Sequence, residues 1–195
     1  MRSSRVTSLI LVLVVCAVLI PAVRADSANN AFRIGAGYLD PDGEVDVSGV
    51  HFDADSTACY FVSYERRLIP WLGIDFEVLY ADPDINATPI GGGATQTNSE
   101  QIFLGNAGIN FHVLARSRVD LYLGAYFSYA NFDKIFDDAT GYGALAGIDI
   151  GLTKSGLLLN ATVRYTLLQA DLTQYPGASA DFDPLVYQLG IGWRF

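Results

Sequence analysis

Eight stretches of this sequence alternate, residue by residue, between apolar side chains and small or polar ones. Phe32, Ile34, Ala36 and Tyr38 are separated by Arg33, Gly35 and Gly37. Leu159, Ala161, Val163, Tyr165 and Leu167 are separated by Asn160, Thr162, Arg164 and Thr166. The same beat runs through residues 58–65, 74–80, 103–113, 121–129, 142–152 and 185–195. A period of two is the period of a β-strand, whose side chains point alternately to the two faces of a sheet. One face of all eight stretches carries no charge and no Ser, Thr, Asn or Gln, while the other holds glycines and nearly all the intra-strand charges. A soluble sandwich also alternates, but it turns its polar face outward. An apolar exterior suits lipid, where every backbone polar group has to be paired, so the sheet has to close on itself.

The connections sharpen this. Those at residues 66–71, 115–118 and 153–156 are short, with Arg66, Arg67, Arg116, Arg118 and Lys154 in them; those at 40–55, 82–99, 132–141 and 171–183 are long and acidic. The pattern predicts an all-β fold: an eight-stranded antiparallel transmembrane β-barrel of outer-membrane type, with short periplasmic turns and long extracellular loops. Tyr38, Tyr64, Tyr80, Tyr129, Tyr142, Tyr187, Trp193 and Phe195 fall at or near strand ends, where interfacial aromatic girdles belong.

The N-terminus reads as an export signal. Arg2 and Arg5 precede an apolar run over residues 9–20, broken by Pro21 and ending at the small residue Ala25. The run is too short for a spanning helix, so residues 1–25 are expected to be a signal peptide and residues 26–195 the barrel. Cleavage would remove three arginines and no acid, taking the net charge from −9 to about −12, a balance that disfavours nucleic acid. Only Cys59 remains, so an intrachain disulfide and a cysteine zinc cluster are excluded, and no cofactor is called for. At the other end Phe195 is the last residue, with Trp193 and Tyr187 two and eight positions before it on the lipid face. This predicts an assembly signal, Tyr187, Trp193 and Phe195, for the barrel-assembly machinery.

Several segments resemble the OmpW family of small outer-membrane barrels: Phe32-Arg-Ile-Gly-Ala-Gly-Tyr-Leu-Asp-Pro41 its opening strand, Leu121-Tyr-Leu-Gly-Ala-Tyr-Phe-Ser-Tyr-Ala-Asn-Phe132 its fifth, Leu159-Asn-Ala-Thr-Val-Arg-Tyr165 its seventh and Asp183-Pro-Leu-Val-Tyr-Gln-Leu-Gly-Ile-Gly-Trp-Arg-Phe195 its last. The resemblance implies a narrow, largely apolar lumen that assists passage of small hydrophobic molecules, and loops that serve in some members as colicin or phage receptors. Arg164 departs from it, standing where the family's seventh strand puts an aromatic residue into the lumen.

Inward-facing residues acquire a height once the N-terminus is placed in the periplasm. Arg33, Glu65, Asp75, Glu77, Asn110, His112, Asp149, Asn160 and Arg194 fall in the periplasmic half and read as a polar plug whose charges must pair. Leu39, Phe61, Leu79, Ile102, Leu104, Leu145, Leu168 and Val186 fall in the outer half and read as an apolar cup, with Tyr126 and Arg164 near the middle. Glu77 is the first partner expected for Arg164, then Asp149 and Asp75. An eight-stranded barrel has room for its own side chains or one small ligand. The cup is therefore either a site for a hydrophobic solute or plain packing, as in a structural or adhesive barrel of OmpA or OmpX type.

A lipid A-modifying enzyme is a third, remote reading. It would need His51 with Ser56 and a carboxylate such as Asp53 or Asp55 at the outer rim. The sequence as a whole predicts a non-enzymatic monomer of the bacterial outer membrane, surrounded by lipid and lipopolysaccharide.

Overall fold

The computed structural model describes residues 29–42, 44–114, 118–173 and 179–195. The leader expected over residues 1–25, and Arg116, lie outside the described residues. In chain order the strands are β1 (Asn30–Asp42), β2 (Glu44–Val47), β3 (Val50–Ala54), β4 (Thr57–Ile69), β5 (Leu72–Ala81), β6 (Asp84–Pro89), β7 (Gln96–Ser99), β8 (Ile102–His112), β9 (Val119–Phe132), β10 (Ala139–Gly151), β11 (Leu157–Asp171), β12 (Ser179–Asp181) and β13 (Asp183–Arg194).

β1, β4, β5, β8, β9, β10, β11 and β13 are the eight barrel strands, each antiparallel to the next. β13 returns to β1 along a register running from Ala31↔Arg194 to Asp42↔Asp183, which closes the barrel. Closure leaves no open edge in lipid. The terminal residue joins in: Phe195 N donates to Asn30 O, and Asn30 N to Phe195 O, both at 2.9 Å. The outward face is bare hydrocarbon, with Leu189 70% and Tyr142 66% exposed, whereas the inward-facing Glu65 and Asp149 are fully buried. Ring pairs sit toward both ends of this surface, Trp71 stacking on Phe111 at 6.2 Å and Tyr80 tilting against Phe103 at 4.9 Å.

Three of the long acidic connections are more than loops, the last carrying β12, which pairs with β11 from Gln169↔Asp181 to Asp171↔Ser179. β2 and β3 form a hairpin across Ser48 and Gly49, both at positive φ (52° and 81°), the backbone a type I′ turn requires. β3 pairs with β6 and β6 with β7, so the first and second long connections share a four-stranded sheet beyond the barrel. Val45, Val47, Phe52 and Ala54 from this sheet pack on the apolar core, and Ile85 is part of it. The alternation of Val45, Val47, Val50 and Phe52 with acids was the available signal, hidden by a four-residue strand and a charge-rich composition.

Candidate functional site: a lumen divided between charge and hydrocarbon

Toward the turn end the lumen holds a continuous ionic network. Arg33 on β1 donates through Nε to Asp149 Oδ1 (3.1 Å) and through Nη2 to Asp149 Oδ2 (2.7 Å) and Glu65 Oε2 (2.9 Å). His112 lies between Glu65 Oε1, 2.8 Å from Nε2, and Asp120, 3.2 Å from Nδ1. Arg194 Nη2 reaches Asp120 and Asp149, each at 3.2 Å. Amides complete the carboxylates: Asn110 donates to Glu65 and Asn160 to Asp149. Charges taken out of water are tolerable only when paired and hydrogen-bonded in this way.

Arg67 and Asp120 also belong to this network, although the alternating stretches stop short of both. The sequence places Arg67 among the basic residues of a short turn. β4 instead runs to Ile69, so Arg67 stays in step with Ser63 and Glu65, faces inward and bonds to Asp120 and to Glu65. Asp120 stands in step with Tyr122 and Tyr126 on β9 and is fully buried. In both cases carrying the period two residues further would have found them.

Arg164 marks the boundary. Its Nη2 is 2.9 Å from Glu77 Oε2 and 3.1 Å from Asp75 Oδ2, and its Nε donates to Gln188 Oε1 at 3.2 Å. Asp149, also weighed as its partner, is taken by Arg33 and Arg194. The guanidinium lies over the Tyr126 ring at 5.3 Å, as Arg33 lies over Tyr122 at 5.5 Å. These rings fit because glycine faces them. A Cβ on Gly143 would come within 2.5 Å of Tyr126, and one on Gly147 within 2.3 Å of Tyr122. The sequence puts Leu145 in the apolar half and Tyr126 near the middle. They pack instead with Tyr122 in a small separate cluster, because Leu145 is in register with Arg164 and so sits beside the network.

Toward the loop end Leu39, Phe61, Leu79, Ile102, Leu104, Leu168 and Val186 are buried in one apolar cluster together with Cys59, Ala81 and Ala130. Its roof comes from the connections. Phe132, Phe136 and Phe182 meet with centroids 5.3 to 6.2 Å apart. Phe136 is held there by Glu100, whose buried carboxylate accepts from Lys134 N (2.8 Å) and Ile135 N (3.1 Å). Burial pushes the Glu100 carboxyl above the ordinary value, against the pull of those N–H groups.

Among the described residues, the wall of this compartment has a short break beside β11. The β11–β13 register runs from Leu157↔Trp193 to Tyr165↔Leu185 and ends, although β11 continues to Asp171. The next position would set Thr166 against Pro184, which has no N–H to give. Beyond it Phe182 N donates to Leu168 O (2.7 Å), Leu168 N is satisfied by the Asp183 side chain (2.8 Å), and pairing resumes on β12 from Gln169↔Asp181 to Asp171↔Ser179.

Of the remaining candidates, Tyr187, Trp193 and Phe195 are all exposed on the outer surface. His51 and Ser56 are not assembled as a catalytic set: His51 Nδ1 is 2.7 Å from Asp46, and Ser56 donates to Asp40 at 2.5 Å.

Comparison with known proteins agrees with this architecture. The chain superposes on the outer membrane protein OprG from Pseudomonas aeruginosa with a TM-score of 0.71 at 16% identity, covering 86% of this chain and 96% of that one. It superposes on Neisserial surface protein A with a TM-score of 0.59 at 15% identity, covering 88% and 100%. At such identities the likeness is one of fold. No curated protein matches the sequence. A family model does, the outer membrane protein beta-barrel domain, over residues 8–195. With its closed eight-stranded wall and hydrocarbon exterior, the chain belongs to this family of bacterial outer-membrane barrels.

Proposed function

We propose that this barrel is of OmpW type and helps small hydrophobic molecules across the outer membrane, releasing them sideways into the bilayer rather than down its axis. The observation that carries this reading is the place where the β11–β13 ladder stops, a short break before β12 takes up the pairing. It stops at Tyr165↔Leu185, one residue above Arg164, whose pairing with Asp75 and Glu77 floors the apolar compartment. A solute in that compartment meets a charged floor, costly to cross, and a wall whose β11 ladder is interrupted between Tyr165 and Leu168 before β12 takes up the pairing. In this orientation the acidic loops are extracellular, and they are the surface open to a colicin or phage. The barrel acts as a monomer.

A structural or adhesive barrel without transport is the second reading. It is favoured by the packing itself, since Leu39, Ala81 and Ile102 are wholly buried against neighbours. A disulfide across the seam separates the two. In a Cys59→Ser background, Thr166→Cys with Pro184→Cys should lock the wall. Cells carrying it should lose uptake of a hydrophobic tracer and regain it on reduction. Uptake that is the same locked, reduced and in cells lacking the protein assigns the structural role.

A further inference from the structure

Where hydrocarbon gives way to charge, the inward faces change residue type at one level. Below Leu79 comes Glu77 on β5, below Leu104 comes Asn106 on β8, below Ala130 comes Ser128 on β9 and below Val186 comes Gln188 on β13. Arg164 reaches this level from β11, bonding to both Glu77 and Gln188. Asn106 is tied in through Nδ2, which donates to Glu77 Oε1 at 3.1 Å. Ser128, Gln188, Arg164 and Asn106 are 0, 2, 4 and 7% exposed. Yet, among the described residues, Asn106 Oδ1, Ser128 Oγ, Arg164 Nη1 and Gln188 Nε2 find no hydrogen-bond partner, and Glu77 Oε2 has only its ion pair with Arg164. Buried polar atoms are normally satisfied, and orphans among them are costly. Here five occur together, immediately under an apolar compartment.

We infer that this ring is a head-group site for an uncharged amphiphile, a molecule with a hydrocarbon tail and a hydroxyl or carbonyl head. The inference rests on the passage reading above and names its substrate class. The tail lies among Leu39, Phe61, Leu79, Leu104 and Val186. The head oxygen accepts from Arg164 Nη1–H and Gln188 Nε2–H, the Ser128 hydroxyl donates or accepts, and Asn106 Oδ1 accepts from a hydroxyl head. Charge decides the head. The Arg164 guanidinium already faces two carboxylates, Glu77 at 2.9 Å and Asp75 at 3.1 Å, so a carboxylate head would bring a third anion to one cation. An ammonium head has no lone pair to accept from Arg164 Nη1–H and Gln188 Nε2–H, and it would set a second cation beside the guanidinium.

The test uses the full barrel in phosphatidylcholine nanodiscs, with empty nanodiscs as the partition control. Equilibrium dialysis of radiolabelled decane, 1-decanol and decanoate measures binding in excess of lipid. Decanol should bind about tenfold more tightly than decane, the worth of two net hydrogen bonds, and decanoate no better than decane. Ser128→Ala and Gln188→Met leave no buried charge unpaired. Each should bring decanol toward decane while decane binding and heat-modifiable migration stay unchanged. Decanol bound no better than decane, or equally by both variants, overturns the head-group site and means that water meets the ring; bound decane would still uphold the passage reading. Binding of none of the three, together with unchanged uptake in the seam-locked barrel, overturns both.

Discussion

Arg33 and Asp149 are 116 residues apart in sequence and meet in the lumen through two parallel hydrogen bonds of 3.1 and 2.7 Å. The fork ties the first barrel strand to the sixth across the lumen, with both side chains buried. Arg33→Met should leave Asp149 and Glu65 short of a cation and cost about 3–5 kcal/mol, as does breaking a buried pair from one side. Urea unfolding in lipid vesicles measures it, and an unchanged midpoint would remove the network from the list of stabilising features.

Arg164 floors the apolar compartment through Asp75 and Glu77. Arg164→Ala should raise ion leakage in planar bilayers, because it removes the largest side chain at that level and leaves two carboxylates to draw in water. Insertion, read by heat-modifiable migration, should be largely kept. Equal conductance in a correctly folded variant would reduce Arg164 to filler.

Phe195 lies outward on the lipid face, its backbone paired with Asn30. Its deletion should leave unfolded chain in the periplasm and abolish heat-modifiable migration. Normal outer-membrane levels of the deleted chain would argue against a C-terminal assembly signal.

Gly92 lies in the connection between β6 and β7, at positive φ (92°) and exposed. An epitope inserted there should be labelled on intact cells. Labelling that appears only after lysis would invert the barrel, and with it the entry side of the proposed passage.

His51 tests the loop sheet. Its hydrogen bond to Asp46 holds the imidazole above the ordinary value, helped by the charges of Asp46, Glu44 and Asp53 and opposed by slight desolvation. The folded state therefore favours the protonated ring. Its contribution to the β2–β3 hairpin is full below the ordinary histidine value and fades as pH rises through the raised one. Hydrogen exchange across β2 and β3 should quicken over that window, and His51→Gln should flatten the profile. A wild-type profile already flat would show that the pair contributes nothing to the hairpin.

Period-two alternation and the absence of charge on one face determined the barrel, its eight strands and which side chains face lipid. These are consequences of local geometry and of the cost of burying charge in hydrocarbon, and they need no knowledge of what lies across the lumen. The inward position of Arg164 was legible for the same reason, since Val163 and Tyr165 beside it are apolar. Partners were not. Asp149 was weighed for Arg164, but strand tilt and stagger bring it to Arg33 and Arg194, leaving Asp75 and Glu77 for Arg164. Arg67 and Asp120 were hidden because where a strand ends depends on cross-strand pairing, and only pairing carried β4 far enough to turn Arg67 inward. The folded sheet over the loop end, the Phe132–Phe136–Phe182 roof and the stop in the ladder at Pro184 likewise rest on contacts between segments far apart in sequence. Period fixes which face a residue takes; only closure of the barrel decides what it meets there.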